Sequence, residues 1–332
     1  MSASFQKLFS VIIPTYCRDA ELTHCLEALA RQHLSSACFE VLVVDDGSAA
    51  PPSSVVQQYR DRLDVELLVV EHRGPAAARN FGAERARGRF LAFTDDDCRP
   101  APQWLETLAL RCSSLPDHVL GGRTLNALED NQYAVTSQTI IDLAYAHYND
   151  PGVGQARFFA SNNMAVAAGR FRAVGGFDAT FRTAEDREFC DRWIENGYRL
   201  TYAREAVVYH AHALNLGGLW WQHLGYGRGA WRFHQVRKQR GRGNFRPEWR
   251  FYRSLAMTSF ARNAHVPAIR MAALALVAQL ANCAGFFYEA CRANRSSTSL
   301  VPASPINSSP SVETWRPRRA HVLNPESKNS GR

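Results

Sequence analysis

Four short apolar runs constrain the fold more than any other feature of this 332-residue sequence. They are "FSVIIPTY" (9–16), "FEVLVVDDGS" (39–48), "VELLVVEH" (65–72) and "RFLAFTDDD" (89–97). Their apolar residues run on rather than alternate with polar ones, so both faces of each strand must be covered. Between them lie helical segments. In "RDAELTHCLEALARQ" (18–32), Leu22, Leu26 and Leu29 share a face and Asp19 is placed to cap. "PSSVVQQYRD" (52–61), "GPAAARNFGAERAR" (74–87) and "APQWLETLALRC" (101–112) follow. Strand–helix alternation of this kind predicts an α/β fold with a Rossmann-like, mostly parallel central sheet and helices on both faces.

Right-handed crossovers put every strand C-terminus on one edge, where ligands bind. That edge receives Pro14, Thr15 and Tyr16 after the first strand, Asp45 and Asp46 after the second, and Asp95, Asp96 and Asp97 after the fourth. Three adjacent carboxylates repel one another unless positive charge sits among them. Further on, "VLGGRTL" (119–125) predicts a strand and "QTIIDLAYAHY" (138–148) a helix. "AEDREFCDRWIENGY" (184–198) predicts a helix with Glu185 and Asp186 in its first turn, and "LTYAREAVVYH" (200–210) a closing pair of short strands ending at His210.

The first strand is not followed by GxGxxG, which a dinucleotide site wants, and GxxxxGK[ST] is absent, so P-loop chemistry is excluded. Carboxylates grouped with a histidine suit a hard cation such as Mg²⁺ or Mn²⁺. Such a cation left open to solvent binds substrate phosphates, so the expected ligand is a diphosphate with an organic head.

Seven segments in fixed order resemble a family 2 glycosyltransferase of the GT-A fold. They are "VIIPTYCR" (11–18), "VVDDGS" (43–48), "GPAAARNFG" (74–82), "FTDDDCRP" (93–100), "SNNMAV" (161–166), "GGFDATF" (175–181) and "AEDREFCDRW" (184–193). The resemblance covers roughly residues 8–212. It implies an inverting enzyme that takes sugar from a nucleotide-diphosphate donor and needs Mn²⁺ or Mg²⁺. Pro14, Thr15 and Tyr16 would line the base pocket, Asp45 would hydrogen-bond the base, and Asp46 would shape that turn. Arg79 would approach the base or the phosphates. Of the DxD motif, Asp95 would meet the ribose and Asp97 the metal, with Asp96 between them at the donor. His210 would complete the metal site, with His212 its rival, and Asp186 matches the catalytic base. Asn162 and Asn163 either contact sugar or acceptor or satisfy a turn, and Gly175 and Gly176 permit a tight turn near the acceptor.

A GT-A domain over 1–212 is therefore expected, with a basic, aromatic helical extension over 213–291 and a disordered tail over 292–332, where Ser, Pro and Asn dominate. Formal net charge is +8, and eleven Arg or Lys residues lie between Arg228 and Arg270 with Glu248 as the one carboxylate. That charge suits an anionic membrane or a phosphorylated substrate; with no nucleic-acid motif beside it, no nucleic-acid partner is expected. "MAALALVAQLANCAGFFY" (271–288) carries no formal charge over 18 residues, so spanning, interfacial and buried helices all fit it. Trp220, Trp221, Tyr226 and Trp231 suit packing, with one or two at an acceptor, and Arg228 and Arg232 suit a phosphate. Eight scattered cysteines without CxxC, and an N-terminus that reads as a strand start, suit the cytoplasm, with attachment to the inner membrane face left open.

The expected partners are a nucleotide-diphosphate sugar and a saccharide or lipid-linked acceptor, in polysaccharide or glycolipid synthesis. The rivals are a nucleotidyltransferase, which wants a basic phosphate loop after the first strand, and a non-catalytic sugar-nucleotide-binding protein at a membrane.

Overall fold

The structure, a computed structural model, describes residues 7–149, 156–242, 249–259 and 267–298. Its first half runs β1 (Lys7–Thr15), α1 (Asp19–Leu29), β2 (Phe39–Asp45), α2 (Ser53–Gln57), β3 (Val65–Val69), α3 (Pro75–Arg85), β4 (Gly88–Thr94), β5 (Cys98–Pro100) and α4 (Trp104–Ser114). There follow β6 (His118–Asn126), α5 (Gln132–Tyr148), β7 (Asn163–Ala167), α6 (Ala168–Val174), α7 (Glu185–Glu195), β8 (Arg199–His210), α8 (Leu216–Gln239), α9 (Trp249–Ser259) and α10 (Ala268–Thr298).

The continuous apolar strands are covered on both faces as expected. Val11, Ile13, Val41 and Val43 point into one core with Leu22, Leu26 and Leu29 of α1, Val55 and Val56 of α2, and Trp104 and Leu108 of α4. Their neighbours Ile12, Leu42 and Val44 point into a second core with Ala78 and Ala83 of α3, Phe171 of α6, and Phe189 and Trp193 of α7. Gly82 lets α3 lie close to the sheet, because a Cβ there would come within 2.8 Å of Ile12. Burying aliphatic side chains on both faces contributes about 25 cal/mol per Å² of apolar surface, the main favourable term in the fold.

The eight strands form one sheet in the order β3-β2-β1-β4-β7-β6-β8-β5. β1 pairs parallel with β2 and β4, β2 with β3, and β6 with β8, whereas β7 runs antiparallel to β4 and β6, and β5 to β8. The expectation that every strand C-terminus meets at one edge is therefore corrected. β5 and β7 are reversed and present their N-terminal ends there, because the turn through Asp95–Asp97 folds β5 back and Asn163 pairs opposite Thr94. The reversal helps the site: it brings Ser161 and Asn162 to the edge that already holds the acids.

Other expectations shift in detail. Asp19 is the first residue of α1 and makes no side-chain cap; it adds negative charge to the first turn instead. α5 begins at Gln132, earlier than expected, because the Asn131 side chain caps it by accepting from the Tyr133 and Ala134 amides. The expected pair of strands over 200–210 is one strand, β8, whose register with β6 slips between Gly122 and Arg123. α10 continues past Cys291 to Thr298, into the segment expected as tail, and residues 299–332 lie outside the described residues.

The helical extension packs on the main unit. Ile140 of α5, Leu219 of α8, Leu255 of α9, and Leu274 and Ala278 of α10 share a third apolar cluster. α8 and α10 cross with their backbones in contact. A Cβ on Gly227 would fall 1.9 Å from the Asn282 carbonyl oxygen, and one on Gly285 would fall 2.0 Å from that of Leu224.

Candidate active site

A cleft of about 660 Å³ opens at the sheet edge. Pro14, Thr15, Tyr16, Arg79, Asp95, Asp96, Asp97, Asp186 and His210 all line it. Of the residues expected at the donor, Asp45 alone stands behind the wall: it is fully buried and accepts from the Ser48 amide and hydroxyl. Asp46 lines the cleft instead, with its carboxylate accepting from the Arg73 and Gly74 amides. It thus fixes the turn that leads into α3. Two residues without glycine's freedom adopt left-handed backbone beside the cleft, Cys17 (φ 54°) and Ala184 (φ 69°). Each immediately precedes a site residue, Arg18 and Glu185, and such strain persists where surrounding structure over-determines it.

The acid triplet is neutralised by the protein itself. Arg18 donates to Asp96 at 2.8 Å and to Asp97 at 3.1 Å. The second oxygen of Asp96 accepts from the Thr15 hydroxyl, so both of its oxygens are engaged within the chain. Burial pushes Asp96 up to about 7, with the neighbouring Asp97 adding to the rise and Arg18 opposing it. Arg79, itself buried, donates to Asp95 and, through its other terminal nitrogen, to Glu185 at 3.0 Å. Burial disfavours the Arg79 charge, but Asp95 and Glu185 outweigh it and raise its pKa.

Asp97 faces two histidines. His210 Nε2 lies 3.3 Å from one of its oxygens and His212 Nδ1 3.1 Å from the other. One ligand atom from each of the three residues lies within 4.8 Å of the others, among the described residues. Burial would raise Asp97, but hydrogen bonds from His210 and His212 and the charge of Arg18 hold it well below the usual carboxylate range. Burial likewise opposes a charge on His210, and the Asp97 hydrogen bond reverses that and raises it. One carboxylate and two imidazoles on a cleft wall form a donor set suited to a divalent transition ion such as Mn²⁺, more than to the all-oxygen preference of Mg²⁺.

Asp186 occupies the opening turn of α7, where its oxygens accept from the Arg187 amide at 2.7 Å and the Ser161 amide at 3.3 Å. Exclusion of water, and then the adjacent Glu185 charge, push it up to about 7. A carboxylate tuned near neutrality in a cleft is suited to accept a proton.

The two asparagines separate. Asn163 is fully buried, donating to the Arg123 and Ala206 carbonyls and accepting from the Trp104 ring N–H, whereas Asn162 lines the cleft. Gly175 (φ 92°) and Gly176 (φ 63°) do form a left-handed turn, but it docks on Asn80 through Phe177 and does not line the cleft. α8 contributes Gln222, Tyr226 and Ala230 to the wall. Trp221 is exposed, Arg228 is ion-paired with Glu289, and Arg232 donates to the Thr180 hydroxyl. Sequence reasoning gave no role to Arg18, which ends the quoted "VIIPTYCR", or to His72, whose ring lies 4.6 Å from that of Tyr16. Both became legible only when the sheet edge was assembled.

The sheet, its reversed seventh strand and the cleft at its edge define a GT-A-type core with a helical extension. The family model of glycosyl transferase family 2 matches residues 10–174, and the chain belongs to that family. It is 30% identical over 203 residues to the glycosyltransferase AglE of Haloferax volcanii, covering 60% of this chain and 66% of that protein. It is 31% identical over 238 residues to a validoxylamine A glucosyltransferase of Streptomyces hygroscopicus subsp. limoneus, covering 62% of this chain and 52% of that protein. The chain thus spans about half to two thirds of the length of these relatives. Among solved structures, a mannosyltransferase from Pyrobaculum calidifontis in complex with GDP-Man and Mn²⁺ superposes with a TM-score of 0.56 at 21% identity, covering 90% of this chain and 82% of that one. At that identity the likeness shows the fold.

Proposed function

We propose that the chain moves a sugar from a nucleoside-diphosphate sugar to an acceptor hydroxyl by a single displacement that inverts the anomeric carbon. One observation carries this reading: a single cleft is lined both by the Asp97, His210 and His212 group and by Asp186, whose carboxylate is poised near neutrality. The nucleobase rests against Pro14, Thr15 and Tyr16, beside His72. Asp45 acts through the turn it orders, Asp95 meets the ribose, Asp96 anchors the triplet to β1, and Arg79 holds Asp95 in place. Asp97, His210 and His212 would hold Mn²⁺ or Mg²⁺, which when bound supplies positive charge against the departing diphosphate. Asp186 takes the proton of the attacking hydroxyl, within about 2.6–3.2 Å in the reactive complex. The unit over 1–212 carries these groups, and α8 of the extension adds Gln222, Tyr226 and Ala230 to the cleft wall.

A nucleotidyltransferase is disfavoured because the one arginine soon after β1, Arg18, is committed to Asp96 and Asp97 and is not free for a triphosphate. The test is sugar transfer with the product anomer read by NMR. The donor's opposite anomeric configuration is expected, and Asp186→Asn should lose about 10²–10⁴-fold in turnover while still binding nucleotide. Retention of configuration, or a fully active Asp186→Asn, would overturn the reading.

A second reading concerns location. We infer that the extension lies against an anionic membrane surface, with acceptors of polysaccharide or glycolipid synthesis brought to the cleft there. In its support, Ile269, Leu276, Leu280 and Phe287 form an exposed apolar stripe at helical spacing on α10, and exposed Trp249 and Met257 lie on α9 with exposed Arg250 and Arg253. α10 is long and apolar enough to cross a membrane by length and composition. Flotation with anionic vesicles that Leu276→Glu with Leu280→Glu abolishes is the expected result; no flotation of the unaltered chain refutes it.

A further inference from the structure

Four arginines line the cleft, and they divide into two unlike pairs. Arg18 and Arg79 are each neutralised by two carboxylates, Asp96 with Asp97 and Asp95 with Glu185. Arg182 and Arg187 flank Asp186 in the chain, and among the described residues no carboxylate side chain forms an ion pair with either. Arg182 is exposed at the rim. Arg187 is half-buried, with its guanidinium 4.4 Å from the Phe233 ring centroid, 5.3 Å from that of Tyr148, and donating to the Tyr148 hydroxyl at 3.3 Å. The same cleft is lined by Tyr145, Tyr148 and Tyr226, aromatic rings of a kind that suits a sugar.

Two guanidinium groups without a carboxylate partner line one cleft, Arg182 exposed and Arg187 half-buried, and an anion that meets them gains charge-assisted hydrogen bonds. Their planar forks match carboxylate and phosphate oxygens. Arg187 is already held by two rings, so little side-chain freedom remains to be lost on binding. Resting on the glycosyltransferase reading above, we propose that this half of the cleft takes a saccharide acceptor with a negative group, a carboxylate or a phosphate ester, near the attacking hydroxyl, and that Arg182 and Arg187 are its anion contacts. The two arginines then select the acceptor, and Asp186 between them in sequence meets its hydroxyl.

The test uses the full chain saturated with UDP or GDP and Mn²⁺, titrated by NMR with methyl glucuronide, glucose 6-phosphate and neutral methyl glucoside. At least one anionic probe should bind about 10-fold or more tightly than the neutral one, as charge-assisted hydrogen bonds allow. The two anionic arms separate carboxylate from phosphate. Arg182→Gln with Arg187→Gln should remove the preference, Arg187→Lys should keep part of it, and nucleotide affinity should stay unchanged in all, which shows the fold and donor half intact. Equal affinities, no saturable binding of any probe, or a preference that survives in the double variant overturns the proposal. So does a preference seen only before nucleotide is added, since the anion would then occupy the diphosphate position. Loss of metal-dependent nucleotide binding in the unaltered chain instead counts against the transferase reading. The anion preference is then read on the nucleotide-free chain, where its absence overturns the proposal and its loss in the double variant supports it.

Discussion

Arg79 and Glu185 form a buried ion pair at the wall of the cleft, Nη1 to Oε1 at 3.0 Å, while the other arm of Arg79 holds Asp95. One cation therefore ties the acids that end β4 to the acids that open α7. Asp95, proposed to meet the ribose, and Glu185, the chain neighbour of the proposed base Asp186, are thus joined through a side chain that is itself 4% exposed.

Removing that cation strands the buried Glu185 carboxylate and leaves the half-buried Asp95 without its partner. Arg79→Ala is expected to cost about 3–5 kcal/mol, the usual scale for breaking one side of a buried pair. Arg79→Lys should fall between, because a single ammonium cannot fork to both acids. Urea unfolding of the three proteins measures this, and an Arg79→Ala midpoint equal to the unaltered one would refute the tie.

Asp186 makes a prediction of pH dependence. Its folded pKa, about 7, lies above the ordinary value of 3.8. The folded state therefore binds more protons than the unfolded state between those values. Asp186 thus lowers stability as pH rises from about 4 to 7, and the loss is complete above 7. Asp186→Asn should melt higher than the unaltered chain at pH 8 and close to it near pH 4, by scanning calorimetry. Turnover, which needs the ionised base, should rise with pH through about 7 in the same protein.

Much of the fold was legible because its signals are local. The unbroken apolar runs of β1, β2 and β4 announced a sheet covered on both faces, and the turn-forming "DDGS" and "DDDC" marked where they end. What could not be read depends on pairing across distance. The reversal of β7 is set by its placement between β4 and β6, and nothing in "SNNMAV" distinguishes a parallel from an antiparallel strand. Arg18 and Asp96 stand 78 positions apart, so their ion pair has no sequence spacing to betray it. His212 was visible as a rival to His210, and the sheet places both on Asp97 because one oxygen of that carboxylate faces each ring.

The shared carboxylate ranks the metal ligands. Asp97→Ala should abolish Mn²⁺-dependent nucleotide binding, and His210→Ala or His212→Ala should each weaken it by about 10–100-fold. Binding of nucleotide titrated against Mn²⁺ checks the order; equal affinity in all four proteins would remove the metal from this group.

The junction of α8 and α10 depends on missing side chains. Gly285→Val would drive atoms into the Leu224 carbonyl and is expected to destabilise the extension by about 1–3 kcal/mol or more. Limited proteolysis should then cut in α10 earlier than in the unaltered chain. An unchanged pattern would show that α10 does not pack there.

The most direct single measurement is calorimetric titration of the full chain with nucleoside diphosphates and their sugars, first with Mn²⁺ and then with EDTA. Saturable binding of one nucleotide with Mn²⁺, lost in EDTA and in Asp97→Ala, is expected. Binding of that nucleotide with equal affinity in EDTA, or of none in the presence of Mn²⁺, would contradict metal-assisted sugar transfer at this cleft.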